Sequence, residues 1–168
     1  ELDFEGALTE RVGLLKGLPA SIIGTLIDKH ITFMAGGKTL LATMKANGAY
    51  TALISGGFTA FTAHVAQTLG FDEHRANTLV IEDGKLTGTV TRPILGQKAK
   101  IDGLKELARA RGLESSDAIA VGDGANDLAM LSEAGAEVFE RACFNVPTLS
   151  DLYKLATAQA LQRRETAV

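Results

Sequence analysis

Apolar positions along this chain recur at two spacings, one helical and one strand-like. From Phe4 to Leu18 they fall three and four apart, which predicts a helix stopped by Gly17 and Pro19. Ser21 is placed to cap a second short helix running to about His30. Gly36 to Asn47 predicts a third, with Leu40, Leu41 and Met44 on one face and Gly48 just past its end. Ala49 to Ile54 is short, apolar and bounded by glycines, the pattern of a buried strand, and Phe58 to Leu69 then predicts a helix closed by Gly70.

Farther on, Asn77 to Ile81 and Lys85 to Thr91 flank Glu82-Asp83-Gly84, and Asp-Gly between alternating runs signals a hairpin. Lys98 to Arg111 reads as a helix closed by Gly112, and Asp117 to Val121 as a second buried strand. Ala125 to Ala134 and Ser150 to Arg164 read as helices. Helices alternating with short apolar strands imply an α/β fold, a Rossmann-like, doubly wound parallel sheet with right-handed crossovers.

Composition narrows the class. The 168 residues are 46% hydrophobic and 22% charged with a net charge of −3, which suits a globular domain with a sizeable core. No stripe of Lys and Arg is present, so nucleic acid is not the expected partner. No apolar run approaches 18 residues, and a membrane is not expected either. Cys143 stands alone, which excludes a disulfide within the chain and a cysteine-built zinc site and fits a reducing compartment; the cytoplasm is the expected location. His30, His64 and His74 are scattered and read as surface or helix residues. The chain opens at Glu1 without a methionine, so an upstream segment is expected.

In open α/β sheets ligands bind at the carboxyl ends of strands. The strand ending at Ile54 delivers Ser55-Gly56-Gly57 to that edge, followed at once by a helix. A hydroxyl and glycine amides at a helix N-terminus make an anion site, although an ordinary tight turn would read the same way. The strand ending at Val121 delivers Gly122-Asp123-Gly124-Ala125-Asn126-Asp127. Two carboxylates and an amide within five residues offer the oxygen ligands that magnesium prefers, and two glycines around Asp123 exceed what a helix cap requires. Lys100 lies in the first turn of its helix, where it opposes the macrodipole, and a cation beside phosphate would explain it. Lys98 is two residues away, and spacing does not choose between them.

Together these segments resemble the haloacid dehalogenase-like superfamily, and within it the phosphoserine phosphatases. The likeness runs from Leu2 to about Gly135: Leu2 to Leu8 with Arg11 to Leu18, then Ile54 to Phe58, Arg75 to Leu79, Asp83 to Gly88 and the Gly122-to-Leu128 loop, in that order. It implies a small helical cap, here partial over residues 1–34, and a phosphatase core over 35–168 that lacks its first strand. It also implies roles. Ser55 and the Gly56 amide would bind phosphate. Lys100, 23 residues before Asp123, would be the catalytic lysine in preference to Lys98. Asp123 would ligate Mg2+, Asn126 would contact phosphate or substrate, and Asp127 would orient the metal site and Lys100. Arg11 would present its planar fork to the carboxylate of phosphoserine, and Phe4 would line the same pocket or join the core.

The family's first motif, Asp-x-Asp-x-Thr, supplies the nucleophile that forms an aspartyl-phosphate, and it is expected upstream of Glu1. Leu2-Asp3-Phe4-Glu5-Gly6-Ala7-Leu8-Thr9 imitates it, but only two residues precede Asp3, too few for a buried strand. Ala136 to Glu140 departs from the family's apolar strand, as though residues were missing before Cys143 or the region had diverged. The expected activity is hydrolysis of phosphoserine to serine and phosphate in serine biosynthesis. The alternatives are another small phosphomonoester as substrate, or a non-catalytic relative that binds phosphate or metal.

Overall fold

The computed structural model describes residues 4–122 and 127–135. They fall into two compact units, one ending at Gly96 and the other beginning at Gln97.

The first unit begins with α1 (Phe4–Gly13), α2 (Ile22–His30) and α3 (Gly37–Ala46). A parallel pair follows, β1 (Ala52–Phe58) and β2 (Glu73–Asn77), joined through α4 (Thr59–Leu69). The unit closes with an antiparallel hairpin, β3 (Leu79–Glu82) and β4 (Lys85–Val90). The hairpin turn has positive φ at both Asp83 (47°) and Gly84 (72°), as a tight turn matched to strand twist requires. Val12, Leu41, Ala66, Ala76 and Leu86 are buried here.

Helix α1 is shorter than the apolar spacing predicts, because the hairpin claims the backbone beyond it. Gly17 N–H donates to Leu86 O at 2.8 Å, Leu86 N–H donates to Leu18 O at 2.9 Å, and Ala20 N–H donates to Gly84 O at 2.8 Å. Residues 17–20 are therefore fastened to β4 by these bonds, with an isolated antiparallel bridge between Pro19 and Lys85, and the helix ends at Gly13. A Cβ on Gly88 would stand 2.9 Å from Lys16 Cβ, so glycine lets this segment seat on the hairpin. Ser21 precedes α2 but makes no side-chain cap; its φ of −60° and ψ of −19° are already helical. Strand β2 was not apparent in the pattern, and Asn77 ends β2 where the alternation suggested the start of the next strand.

The second unit holds α5 (Gln97–Arg109), a 3-10 turn (Ser115–Asp117) and α6 (Leu128–Glu133). Ala120, Leu131 and Ala134 form its core, with Leu104 and Met130 packed against them. The strand expected at Asp117–Val121 is not formed. Ala118 to Gly122 lie outside any helix or strand, and although Ala120 points inward, Ile119 and Val121 are 45% and 59% exposed. The apolar alternation is real, but a strand needs a neighbour for its amides, and none of the described strands pairs with this stretch. The helix expected over Ser150–Arg164 and Cys143 lie outside the described residues. Among the described residues no helix is long and apolar enough to cross a membrane.

One carboxylate ties α3 to the entry of β1 and β2. Asp72 accepts from Thr51 N–H at 2.9 Å and Thr51 Oγ1 at 2.8 Å, and pairs with Lys45 Nζ at 2.6 Å. Lys45 also donates to Gly70 O, just past the end of α4, at 2.9 Å. The Lys45 hydrogen bond, then the Thr51 amide and hydroxyl, hold the Asp72 carboxyl at about 2, below its ordinary 3.8. The folded state thus resists protonation more than the unfolded chain does. The stabilisation is complete above pH 3.8 and is lost as pH falls toward 2. Asp72→Asn should cost about 1 kcal/mol at pH 7 in urea unfolding and should flatten the loss of stability between pH 4 and pH 2. An unchanged acid limb would contradict this assignment.

Candidate active site

Strand β1 carries the first cluster. Ile54 pairs with Arg75 and Phe58 with Asn77, so Ser55, Gly56 and Gly57 together lie opposite Ala76 alone. The strand bulges where the sequence places its anion loop. Bulges re-aim side chains next to functional sites, and here the bulge frees backbone groups from the ladder. Gly57 N–H donates to Ser55 Oγ at 3.0 Å. Helix α4 begins two residues later, at Thr59, so the loop meets a helix N-terminus as expected.

Behind the loop stands Asn77, 2% exposed. Its Nδ2 donates to Gly56 O at 2.9 Å and to Leu95 O at 3.1 Å, while Oδ1 accepts from Leu95 N–H at 2.7 Å. Both amide protons and the carbonyl are used, and only this orientation of the side-chain amide satisfies all three partners. Sequence reasoning took Asn77 only as the start of a hairpin strand and as part of the Arg75-to-Leu79 likeness, and gave it no role.

Phe4 closes another side of the loop. A Cβ on Gly56 would stand 3.1 Å from Phe4 Cζ, and one on Gly96 would stand 3.2 Å from Phe4 Cδ1. Phe4 is 39% exposed, so it lies against the loop rather than in the core. Arg11 is two helical turns along α1 on the same face, exposed and without an ion-pair partner among the described residues. The stretch that imitates the first motif is helical from Phe4, which excludes it as a loop at a strand end.

In the second unit, Lys100 Nζ is hydrogen-bonded to Asp127 Oδ1. The pair is withdrawn from water: Lys100 is 8% exposed and Asp127 3%. Lys98 is exposed, so of the two lysines Lys100 is the one buried against a carboxylate. A Cβ on Gly122 would strike the Asp127 side chain, and glycine is what allows the backbone to pass that carboxylate. Asp123 and Asn126 lie outside the described residues. The histidines take structural places: His74 Nδ1 is 3.1 Å from Thr62 Oγ1, and His64 stacks on Phe33.

The sequence pattern of the haloacid dehalogenase-like hydrolases matches residues 1–132. The chain belongs to that family. Its fold is accordingly the α/β, Rossmann-like fold of haloacid dehalogenase-like hydrolases. Within the family it is similar to the phosphoserine phosphatase of Streptomyces coelicolor, 44% identical over 135 residues, which are 80% of this chain and 33% of that protein. It is 39% identical over 138 residues to the phosphoserine phosphatase of Methanocaldococcus jannaschii, covering 82% of this chain and 65% of the other. A solved phospho-aspartyl intermediate analogue of phosphoserine phosphatase superimposes with a TM-score of 0.74 at 40% identity, covering 80% of this chain and 64% of its own. A substrate-bound phosphoserine phosphatase complex gives the same TM-score and identity, covering 80% and 63%. The chain thus spans between a third and two thirds of the length of these relatives.

An ion pair this deep is costly to halve, because the remaining charge is left without water or partner. Lys100→Met should lower stability by about 3 kcal/mol and Asp127→Asn by a similar amount, with the double variant losing less than the sum. Lys98→Met should change it by less than about 0.5 kcal/mol. Equal effects at the two lysines in urea unfolding would contradict the pairing.

Proposed function

We propose that the protein is a magnesium-dependent phosphomonoesterase that converts O-phospho-L-serine to L-serine and phosphate. The observation that carries this reading is the buried Lys100–Asp127 pair. A helix gains nothing from a lysine in its first turn, and a fold gains little from burying two charges that a well-packed apolar pair could replace. A fixed ammonium does gain a role if phosphate negative charge develops beside it.

In this reading the Ser55 hydroxyl and the Gly56 amide bind phosphate at the bulge of β1, and Lys100 neutralises charge on the transferring group. Asp127 holds Lys100 in place and orients the metal site. Asp123 ligates magnesium and Asn126 contacts phosphate. Hard carboxylate oxygens at Asp123 and Asp127 are the donors that magnesium takes, and the ion when bound would neutralise phosphate oxygens. The aspartate that attacks phosphorus is assigned to sequence outside these residues, consistent with the greater length of the relatives. Helices α1 and α2, within residues 1–34, form the cap. Its Phe4 packs on the loop glycine and its Arg11 has no ion-pair partner among the described residues, so the guanidinium would take the substrate carboxylate in a bidentate pair. In that role the enzyme would serve serine biosynthesis in the cytoplasm.

Substrate choice is separable from phosphate chemistry. Arg11→Ala should lower kcat/KM for O-phospho-L-serine by roughly 100-fold, while p-nitrophenyl phosphate, which has no carboxylate, stays within about twofold. A parallel loss on both substrates, or none on either, would exclude Arg11 as the carboxylate partner and point to another phosphomonoester.

A further inference from the structure

Two hydrogen bonds converge on one peptide unit. Asn77 Nδ2 donates to the carbonyl of Gly56, and the N–H of Gly57 donates to Ser55 Oγ. That carbonyl and that N–H belong to the same planar trans peptide, where they point in opposite directions. Asn77 and Ser55 therefore hold its two ends. Gly57 N–H occupies one of the two lone pairs of Ser55 Oγ, and the hydroxyl keeps its proton, the only group on it that can bond an anion.

The alternative state is easy to specify. The peptide lies between two glycines in a bulge, where no Cβ resists rotation. Turned over, it would present a carbonyl oxygen to Ser55 Oγ in place of an N–H. The hydroxyl proton would then be spent on that oxygen, and a carbonyl would face the anion. Asn77 opposes the flip because it would leave a buried amide proton without an acceptor, a cost of about 1–3 kcal/mol. Asn77 is itself fixed by its two bonds to Leu95, so it does not follow the loop.

We propose that Asn77 is a positioning residue: it locks the Gly56–Gly57 peptide and thereby aims the Ser55 hydroxyl proton at phosphate. This rests on Ser55 and Gly56 being the phosphate site of the proposed phosphatase. Asn77 does not touch substrate; it acts through the peptide and through Ser55. The chain runs from amide to peptide to hydroxyl, each donor polarising the next.

The test is a double-mutant cycle on the intact protein, reading inhibition by inorganic phosphate and KM for O-phospho-L-serine. Asn77→Ala should raise the phosphate inhibition constant and KM about tenfold while leaving the ratio of phosphoserine to p-nitrophenyl phosphate activity unchanged. In a Ser55→Ala background the same substitution should change both by less than about twofold, because the group it aims is gone. A tenfold effect in both backgrounds, or none in either, overturns the proposal while leaving the phosphatase reading intact. Wild-type protein that neither hydrolyses phosphoserine nor binds phosphate overturns that reading and this one with it. Should Asn77→Ala not fold, NMR of the wild type decides. On titration with inorganic phosphate, the Asn77 side-chain amide should shift with the same midpoint as the Gly57 N–H, and an unmoved Asn77 signal overturns the proposal.

Discussion

The buried pair of Lys100 and Asp127 constrains everything around it in its unit. Two ions held away from water must stay within hydrogen-bonding reach, since each is costly without the other. That requirement explains why α5 opens on a lysine its dipole disfavours, and why Gly122 precedes the Asp-rich loop: any side chain there would strike Asp127. Asp127 sits at the start of α6, whose Leu131 and the adjoining Ala134 anchor it to Ala120 and the flank of α5. The apolar cluster supplies stability, and the ion pair gives that stability something to position.

The other unit solves a different problem with neutral groups. In the proposed reading, an anion loop must expose amides and a hydroxyl without letting them wander. Strand β1 interrupts its ladder with a bulge of three residues, two of them glycine, and then restrains the bulge from behind with Asn77 and from the side with Phe4. The strands are held at their start by Asp72, and the hairpin holds the segment after α1 through backbone bonds. The flanking elements are thus tied by a buried amide, an ion pair and backbone bonds.

Elements governed by local chemistry were legible in the sequence. Helices α3, α4 and α5 and the Asp83-Gly84 turn carry their own stops and turn residues, and the structure places them within a few residues of the expectation. Elements governed by distant partners were not. Glu73-His74-Arg75 has no apolar alternation, yet it forms β2 because β1 supplies its bonds and Tyr50 and Arg75 occupy the Glu73 carboxylate. Leu14 to Leu18 continue the helical spacing of α1 but are taken by the hairpin, and Ile119 and Val121 alternate like a strand without one to pair with. For the site, residue types at strand ends indicated Ser55, Gly56 and Asp127, and the family likeness preferred Lys100, which its burial supports. Asn77 stood within the Arg75-to-Leu79 likeness but was given no role, because a satisfied buried amide looks like any other Asn in a sequence.

The account stands or falls on whether these groups serve phosphate ester cleavage. Phosphorus NMR of O-phospho-L-serine incubated with magnesium and the purified protein, including the sequence that supplies the attacking aspartate, tests it most directly. The account predicts that the ester signal is replaced by inorganic phosphate in a saturable, magnesium-dependent manner, and that Lys100→Met abolishes the conversion. An ester signal that persists unchanged, or a conversion that survives Lys100→Met undiminished, would contradict it.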